Sequence, residues 1–324
     1  MLRWLLLGLV LIGLGGAVAG AVTAATWWQA SGPGGSPQTL VIAKGGTQTI
    51  AAQLARAGII DHPFWFALAA KVTGEGKSFK AGEYAFAKGI SPAGVADTLD
   101  RGDVVIHRVV IPEGLTTQEA LAVLATAPAL MGAIARSPGE GDLLPNTYFY
   151  VYGDQRQVLV DRMTREMTRT LNSLWPGRAA GLPLRTPEEA VILASIVEKE
   201  TALPSERRLI AQVFYNRLRK GMKLQSDPTI IYALTQGHGP LGRSLTHDDV
   251  VLASPYNTYA SAGLPPGPIA NPGRAAIEAV LHPEPTDALY FVASGEGGHR
   301  FALTLQEQDR NIAKWRAKQR AAAP

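Results

Sequence analysis

Thr186-Pro187-Glu188-Glu189-Ala190-Val191-Ile192-Leu193-Ala194-Ser195-Ile196-Val197-Glu198-Lys199-Glu200-Thr201 is the stretch around which the rest of the chain is organised. It begins as a helix: Thr186 can cap free N–H groups, Pro187 suits the first helical position, and Glu189 can close a reciprocal capping box. Ala190 to Val197 is apolar or small on every side, so this helix belongs inside a core. With no turn signal it then presents Glu198 and Glu200. Carboxylates rarely enter a core without a partner, so these two need an explanation.

Their spacing separates them. Two helical positions differ by about 200° around the axis, so the two side chains cannot enter one pocket. Glu200 shares its face with Leu193, Ile196 and Val197, whereas Glu198 shares its own with Val191, Ala194 and Ser195. An apolar surround disfavours the charged form, and a raised pKa is what a proton donor needs near neutral pH. Glu200 is therefore the expected general acid, with Glu198 as a supporting or fallback residue. The plainer reading has both carboxylates flank a helix end and pair with Lys199, Arg207 or Arg208.

With 324 residues, 46% of them hydrophobic, the chain has room for a membrane segment plus one large or two smaller domains. The net charge of +4 suits an anionic wall polymer or lipid surface and does not by itself argue for nucleic acid. Cysteine is absent, which excludes disulfides, thiolate metal sites and cysteine nucleophiles. After Arg3 no charged residue occurs until Lys44, and Trp4 to Trp28 reads as one apolar or small run. That exceeds the roughly 20 residues a bilayer crossing needs. Trp4 and Trp27-Trp28 resemble interfacial aromatic belts, and Arg3 keeps the N-terminus cytoplasmic. A cleaved signal peptide is the rival, with Leu5–Leu14 as its core and Ala17-Val18-Ala19 as its cleavage site. The continued apolar run and the double Trp favour a retained anchor. Both readings put the working part outside the cytoplasm.

The expected class is α+β: an N-terminal transmembrane helix over residues 1–29, a linker at 30–38, a small α/β module at 39–107, and a larger mixed α+β domain at 108–324. The linker is rich in Gly, Ser and Pro. In the module, Leu40-Val41-Ile42 reads as a strand, Thr49–Ala57 and Pro63–Val72 as helices, Glu83–Phe86 as a strand, and Ser91 as the cap of a helix to Leu99. Gly74-Glu75-Gly76-Lys77-Ser78 imitates a phosphate loop, but Lys71 stands where that motif needs glycine, so a surface loop is expected. Val109-Val110-Ile111 opens the larger domain as a strand, followed by a helix over Thr116–Ala125. Leu143 to Phe149 reads as a polar–aromatic loop and Gln155–Leu174 as a long helix. Ser205 and Asp227 are the expected caps of two further helices. Leu289–Ala293 and Arg300–Thr304 form a hairpin, and a helix from Leu305 to about Lys318 closes the chain.

The chemistry narrows by elimination. The six histidines include no HExxH or i, i+4 pair, and no G-x-S-x-G elbow occurs, so zinc hydrolase and serine esterase readings lack support. Carboxylate acid–base chemistry remains, and glycosidases usually pair two carboxylates. Asp227, Asp248 and Asp249 are candidate second partners. Pro/Gly loops carrying Tyr256, Asn257 and Tyr259 suit a sugar cleft, although turn chemistry also accounts for them.

Five ordered motifs, Ala194–Glu200, Leu224–Thr229, Tyr256–Tyr259, Gly263–Gly267 and Gly297-Gly298-His299, together resemble the endolytic murein transglycosylase (YceG-like) family. The chain departs from the family pattern around Gly141–Tyr148, which weakens any role for Asn146. The resemblance implies a single-pass inner-membrane protein whose LysM-like module and catalytic domain face the periplasm. It implies cleavage of the MurNAc–GlcNAc β-1,4 bond of nascent glycan strands, leaving 1,6-anhydro-MurNAc ends and terminating strand elongation. The family's catalytic glutamate lies in the Glu-Lys-Glu element, placed here on Glu200. Gln225, Asp227, Tyr256, Asn257, Tyr259 and His299 are the expected substrate-binding residues. No metal or cofactor is implied, and the partners are glycan strands, the membrane and peptidoglycan synthases, not nucleic acid. Two alternatives stay open: a membrane-tethered wall-binding or scaffold protein without turnover, and a hydrolytic glycosidase.

Overall fold

The structure, a computed structural model, describes residues 2–74, 76 and 79–322, with side chains from residue 11 to residue 321 among them. It is mixed α+β and divides into two compact units, Met1–His107 with Phe149–Asp154 and Arg108–Tyr148 with Gln155–Pro324.

The first unit begins with α1 (Leu2–Gln29), of which Leu11–Gln29 is long and apolar enough to cross a membrane. After it come β1 (Gln38–Ile42), α2 (Thr47–Arg56), α3 (Pro63–Thr73), β2 (Gly82–Phe86) and α4 (Pro92–Arg101). β1 and β2 pair antiparallel with Leu40 opposite Tyr84. Strand alternation sends Ile42, Tyr84 and Phe86 inward, where they meet Ile50, Leu54, Phe66, Val95 and Leu99 in one apolar cluster. Gly58 follows α2 at φ +70°, a left-handed position that L side chains avoid. Ser91 caps α4 by accepting from Gly94 N at 3.1 Å. Of the phosphate-loop imitation, Glu75, Lys77 and Ser78 lie outside the described residues.

β3 (Ile106–Val110) pairs with β4 (Thr147–Val151). β4 corrects the loop reading of Leu143–Phe149 from Thr147 onward, while Leu143–Asn146 is irregular as expected. Tyr148 and Tyr150 are buried and Phe149 between them is exposed, a period-two strand that the polar residues ahead of it disguise.

The second unit holds α5 (Thr117–Thr126), α6 (Arg156–Leu174), α7 (Pro187–Glu200), α8 (Arg207–Arg219), α9 (Asp227–Thr235), α10 (His247–Val250) and α11 (Arg274–Leu281). It ends in the antiparallel hairpin β5 (Tyr290–Ala293) and β6 (His299–Ala302), then α12 (Leu305–Ala322). α7, α8 and α11 pack on one another around Leu193, Ile196, Val197, Ile210, Phe214, Ile277 and Val280. Two expected caps move by one residue. Glu206, not Ser205, is the N-cap of α8, and Ser226, not Asp227, is the N-cap of α9; neither side chain bonds its own helix.

Candidate active site

α7 starts at the expected cap, but Glu189 reaches one residue past the cap instead of closing the expected reciprocal box. Thr186 Oγ1 accepts from Glu189 N at 3.3 Å, and Glu189 reaches back to accept from Arg185 N at 2.6 Å. Every residue from Ala190 to Val197 is buried. Ser195 is a satisfied core hydroxyl, donating to Ile192 O at 2.7 Å and accepting from Ile269 N at 3.0 Å. The helix then leaves the core, and at about 100° per residue its last three side chains diverge.

Glu198 enters a pocket built for an anion. Its Oε1 accepts from Arg207 Nη2 at 3.1 Å and its Oε2 from Gly273 N, at the start of α11, at 2.9 Å. Arg207 also lies 3.4 Å from Glu113. Loss of water pushes the Glu198 carboxyl up from its ordinary value, while the Gly273 N–H and Arg207 pull it back. A Cβ at Gly273 would stand 1.9 Å from Glu113 Oε1, so a side chain there would displace the Glu113 carboxylate. Lys199 donates to Gly114 O at 3.1 Å. For Glu198 the plainer reading, pairing with Arg207, is the observed arrangement; Arg208 instead donates to His282 O at 2.6 Å.

Glu200 enters a different pocket. Its Oε1 accepts from the hydroxyl of Ser226 at 2.5 Å. Although the residue as a whole is only half-buried, crowding around its carboxyl removes enough water to push it up to about 7, with Asp227 adding to the rise. Ser226, His299 and Arg217 act in the opposite direction. The direction expected from sequence is therefore found, with loss of water as its largest cause, but the side chains named for that surround are turned elsewhere. Leu193, Ile196 and Val197 face the core, and the groups that act on the carboxyl are polar.

The surroundings are densely hydrogen-bonded. Ser226 is fully buried, and its N–H donates to Thr258 Oγ1 at 3.0 Å, beside a buried Thr229–Thr258 hydroxyl pair at 2.9 Å. Asp227 is exposed and accepts from the Tyr259 hydroxyl at 2.7 Å. Gln225, exposed and at φ +54°, accepts through Oε1 from Arg217 Nη1 at 3.2 Å. Arg217 is buried and also donates to the carbonyls of Leu224 at 2.8 Å and Leu289 at 2.6 Å. His299 is held by Glu206: its backbone N–H meets Oε1 at 2.7 Å and its Nδ1 meets Oε2 at 2.7 Å. Thr201, next after Glu200, donates to the same carboxylate at 3.2 Å. Burial pushes Glu206 up, but the His299 and Thr201 bonds outweigh it and hold the group below its ordinary value.

Of the expected residues, Gln225, Asp227, Tyr259 and His299 gather with Glu200. Asn257 does not join them as a ligand group. It is fully buried, its Nδ2 donates to Val250 O and Leu252 O, and its Oδ1 accepts from Tyr259 N, so it staples its own loop. Tyr256 packs against Tyr232 with centroids 4.9 Å apart and the rings tilted by 51°. Asp249 is committed to Arg243 and to the capping box with Thr246, which together hold it far below its ordinary value. Asn146 accepts from Thr147 N at 2.7 Å. Sequence reasoning missed Ser226, Glu206 and Arg217. Only Arg217 carried a signal, as a charge on the apolar stripe of Ile210, Val213 and Phe214. Among the described residues no group of three His, Cys, Asp or Glu side chains could hold a metal ion.

The YceG-like family model matches residues 40–314. The chain is similar to a Streptococcus pneumoniae R6 protein named endolytic murein transglycosylase, 33% identical over 315 residues, covering 82% of this chain and 56% of that protein. A Bacillus subtilis 168 protein of the same name is 38% identical over 182 residues, covering 56% of this chain and 49% of its own length. The chain thus spans about half the length of the curated relatives it matches. A solved structure of a yceG-like protein from Listeria monocytogenes superposes with a TM-score of 0.55 at 28% identity, covering 85% of this chain and 98% of that one.

Proposed function

The chain belongs to the YceG-like family, and from that premise we propose that it is an endolytic lytic transglycosylase acting on nascent peptidoglycan, with Glu200 as its single acid–base group. Cleavage falls between MurNAc C1 and the β-1,4 oxygen of GlcNAc. Protonated Glu200 gives its proton to that oxygen as the C1–O bond breaks. As a carboxylate it then takes the proton of the same MurNAc's C6 hydroxyl while O6 bonds to C1, closing the 1,6-anhydro ring and restoring the acid. The attack is intramolecular, so effective molarity replaces an activated water and a second carboxylate. The observation that carries this reading is a carboxyl at about 7 whose hydrogen-bond partner is a hydroxyl, not a cation. Gln225, Asp227, Tyr259 and His299 would contact the sugar around it.

The apolar helix α1 fits a single-pass anchor. We place its N-terminus in the cytoplasm and the rest beyond the inner membrane, with a LysM-like module within residues 39–107 and glycan strands and their synthases as partners. A hydrolytic glycosidase is the second reading, favoured by Asp227 acting on Glu200. Mass spectrometry of fragments from uncrosslinked glycan strands decides. Anhydro-MurNAc ends, lighter by one water than reducing ends and absent with Glu200→Gln, are expected. Reducing ends would make Asp227 the second carboxylate. Intact strands that still bind both proteins would leave a tethered wall binder.

A further inference from the structure

α1 and α3 enclose an apolar groove of about 930 Å³ lined by residues from Gly20 to Trp28 on one side and from Trp65 to Thr73 on the other. The two helices meet at its mouth, where Trp28 packs on Phe66 with centroids 5.6 Å apart and Trp27 Nε1 donates to Asp61 at 3.2 Å. α3 presents to the outside Phe64, Trp65, Leu68 and Val72, which are 65%, 55%, 42% and 80% exposed. At helical spacing these four share one arc, while Phe66, Ala67 and Ala70 fill the opposite, buried arc. Such a contiguous apolar face is not left to water in a soluble module.

The occupant follows from continuity with α1. The groove's α1 wall reaches back to Gly20, inside the Leu11–Gln29 candidate span. From Trp28 to Gly20 is about 12 Å along a helix axis, and α3 residues line the groove opposite. If α1 spans a bilayer, the α3 arc cannot stand clear of it. Of the polar wall residues, Thr23 and Thr73 return their hydroxyls to Ala19 O and Ala69 O of their own helices, and His62, at the mouth, pairs with Asp61 at 3.6 Å. Lys71, the one charged residue of α3, has a stem long enough to reach the headgroups.

We infer that α3 is an interfacial helix, its Phe64–Trp65–Leu68–Val72 face and the groove beside α1 filled by phospholipid acyl chains of the bilayer that α1 crosses. The inference rests on α1 as a span and not on the glycan chemistry. Interfacial helices sink their apolar face about 5–10 Å into the headgroup–acyl boundary, which is where an arc beside the end of a spanning helix lies.

The chain lacks cysteine, so single spin labels can be placed without background. Val72→Cys and Leu68→Cys, in the full chain reconstituted into nanodiscs holding one copy each, should favour oxygen over a water-soluble nickel complex as relaxant, approaching Val18→Cys in α1. Ala52→Cys on the exposed side of α2 should favour nickel several-fold. Labels at 68 and 72 that match residue 52 while residue 18 is embedded would overturn the inference, as would an unembedded residue 18. Shielding that develops only when two copies share a disc would also overturn it, in favour of a second chain on this face.

Discussion

Two carboxylates leave the end of α7 two residues apart and enter pockets of opposite design. Glu198 meets a guanidinium at 3.1 Å and a helix-start N–H at 2.9 Å. Glu200 meets a hydroxyl at 2.5 Å and an acidic neighbour. Burial raises both groups, so burial alone does not identify the acid. What separates them is the direct partner: a guanidinium bonds the Glu198 carboxylate, whereas Glu200 is bonded by a hydroxyl and Arg217 and His299 act on it without a hydrogen bond. Glu198 has the partners of a structural anion, whereas Glu200 is held so that proton gain and loss near pH 7 are close in free energy.

Exchanging the two residues for neutral isosteres tests the contrast most severely. Glu200→Gln should lower glycan cleavage by about 10²–10⁴-fold, the range for loss of a positioned general acid. Glu198→Gln should keep a near wild-type rate per folded molecule. Equal losses with both folds intact, measured by release of soluble fragments, would end the division of roles. For stability the order reverses. Glu198→Ala strands the Arg207 guanidinium, whose remaining acidic partner is Glu113 at 3.4 Å, and should cost about 3 kcal/mol in urea unfolding. Glu200→Ala, which strands no cation, should cost less.

Ser226→Ala sharpens the comparison at smaller scale. The Ser226 hydroxyl donates to the ionised carboxyl and so lowers its pKa. Removing it raises the folded-state value further, keeps the acid protonated to higher pH, and moves the alkaline limb of kcat/KM up by about one pH unit. The wild-type limb should fall near pH 7. Ser226 makes no side-chain bond to α9, so this change should leave the helix start intact. A limb that stays in place would detach Ser226 from the acid.

Much of this site could be read from residue order, and what could not has definite causes. α7 was legible because its cap, its proline and its apolar run agree at every level. The β5–β6 hairpin was legible because Ser294 to Gly298 offers little but turn residues. Asn257 was misread because an amide in a Pro/Gly loop suits sugar hydroxyls and backbone carbonyls equally, and only its two carbonyl partners show which it serves. Ser205 and Asp227 were misread as caps because their residue types fit, while the neighbouring residues hold the cap positions. Glu206 and Ser226 act across 93 and 26 positions of sequence, and no local pattern encodes such partners.

Glu206 gives the finest test, because its carboxylate ties Thr201 at the end of α7 to His299 at the start of β6. Gly298 is part of the same fit, since a Cβ there would stand 2.5 Å from Glu206 Oε1. A carboxyl held below its ordinary value stabilises the fold above the unfolded-state pKa, and that contribution is lost as pH falls through the folded-state value. Glu206→Gln should therefore cost about 1 kcal/mol at neutral pH, where one charge-assisted bond becomes neutral. The deficit should shrink as pH falls below the ordinary glutamate range and vanish once the wild-type group is protonated as well. Because the amide still accepts from the His299 N–H, the hairpin should stay docked and cleavage should fall only a few-fold. If the deficit persists unchanged in acid, shape and not charge is what Glu206 contributes, and the Glu200 pocket then owes its order to packing alone.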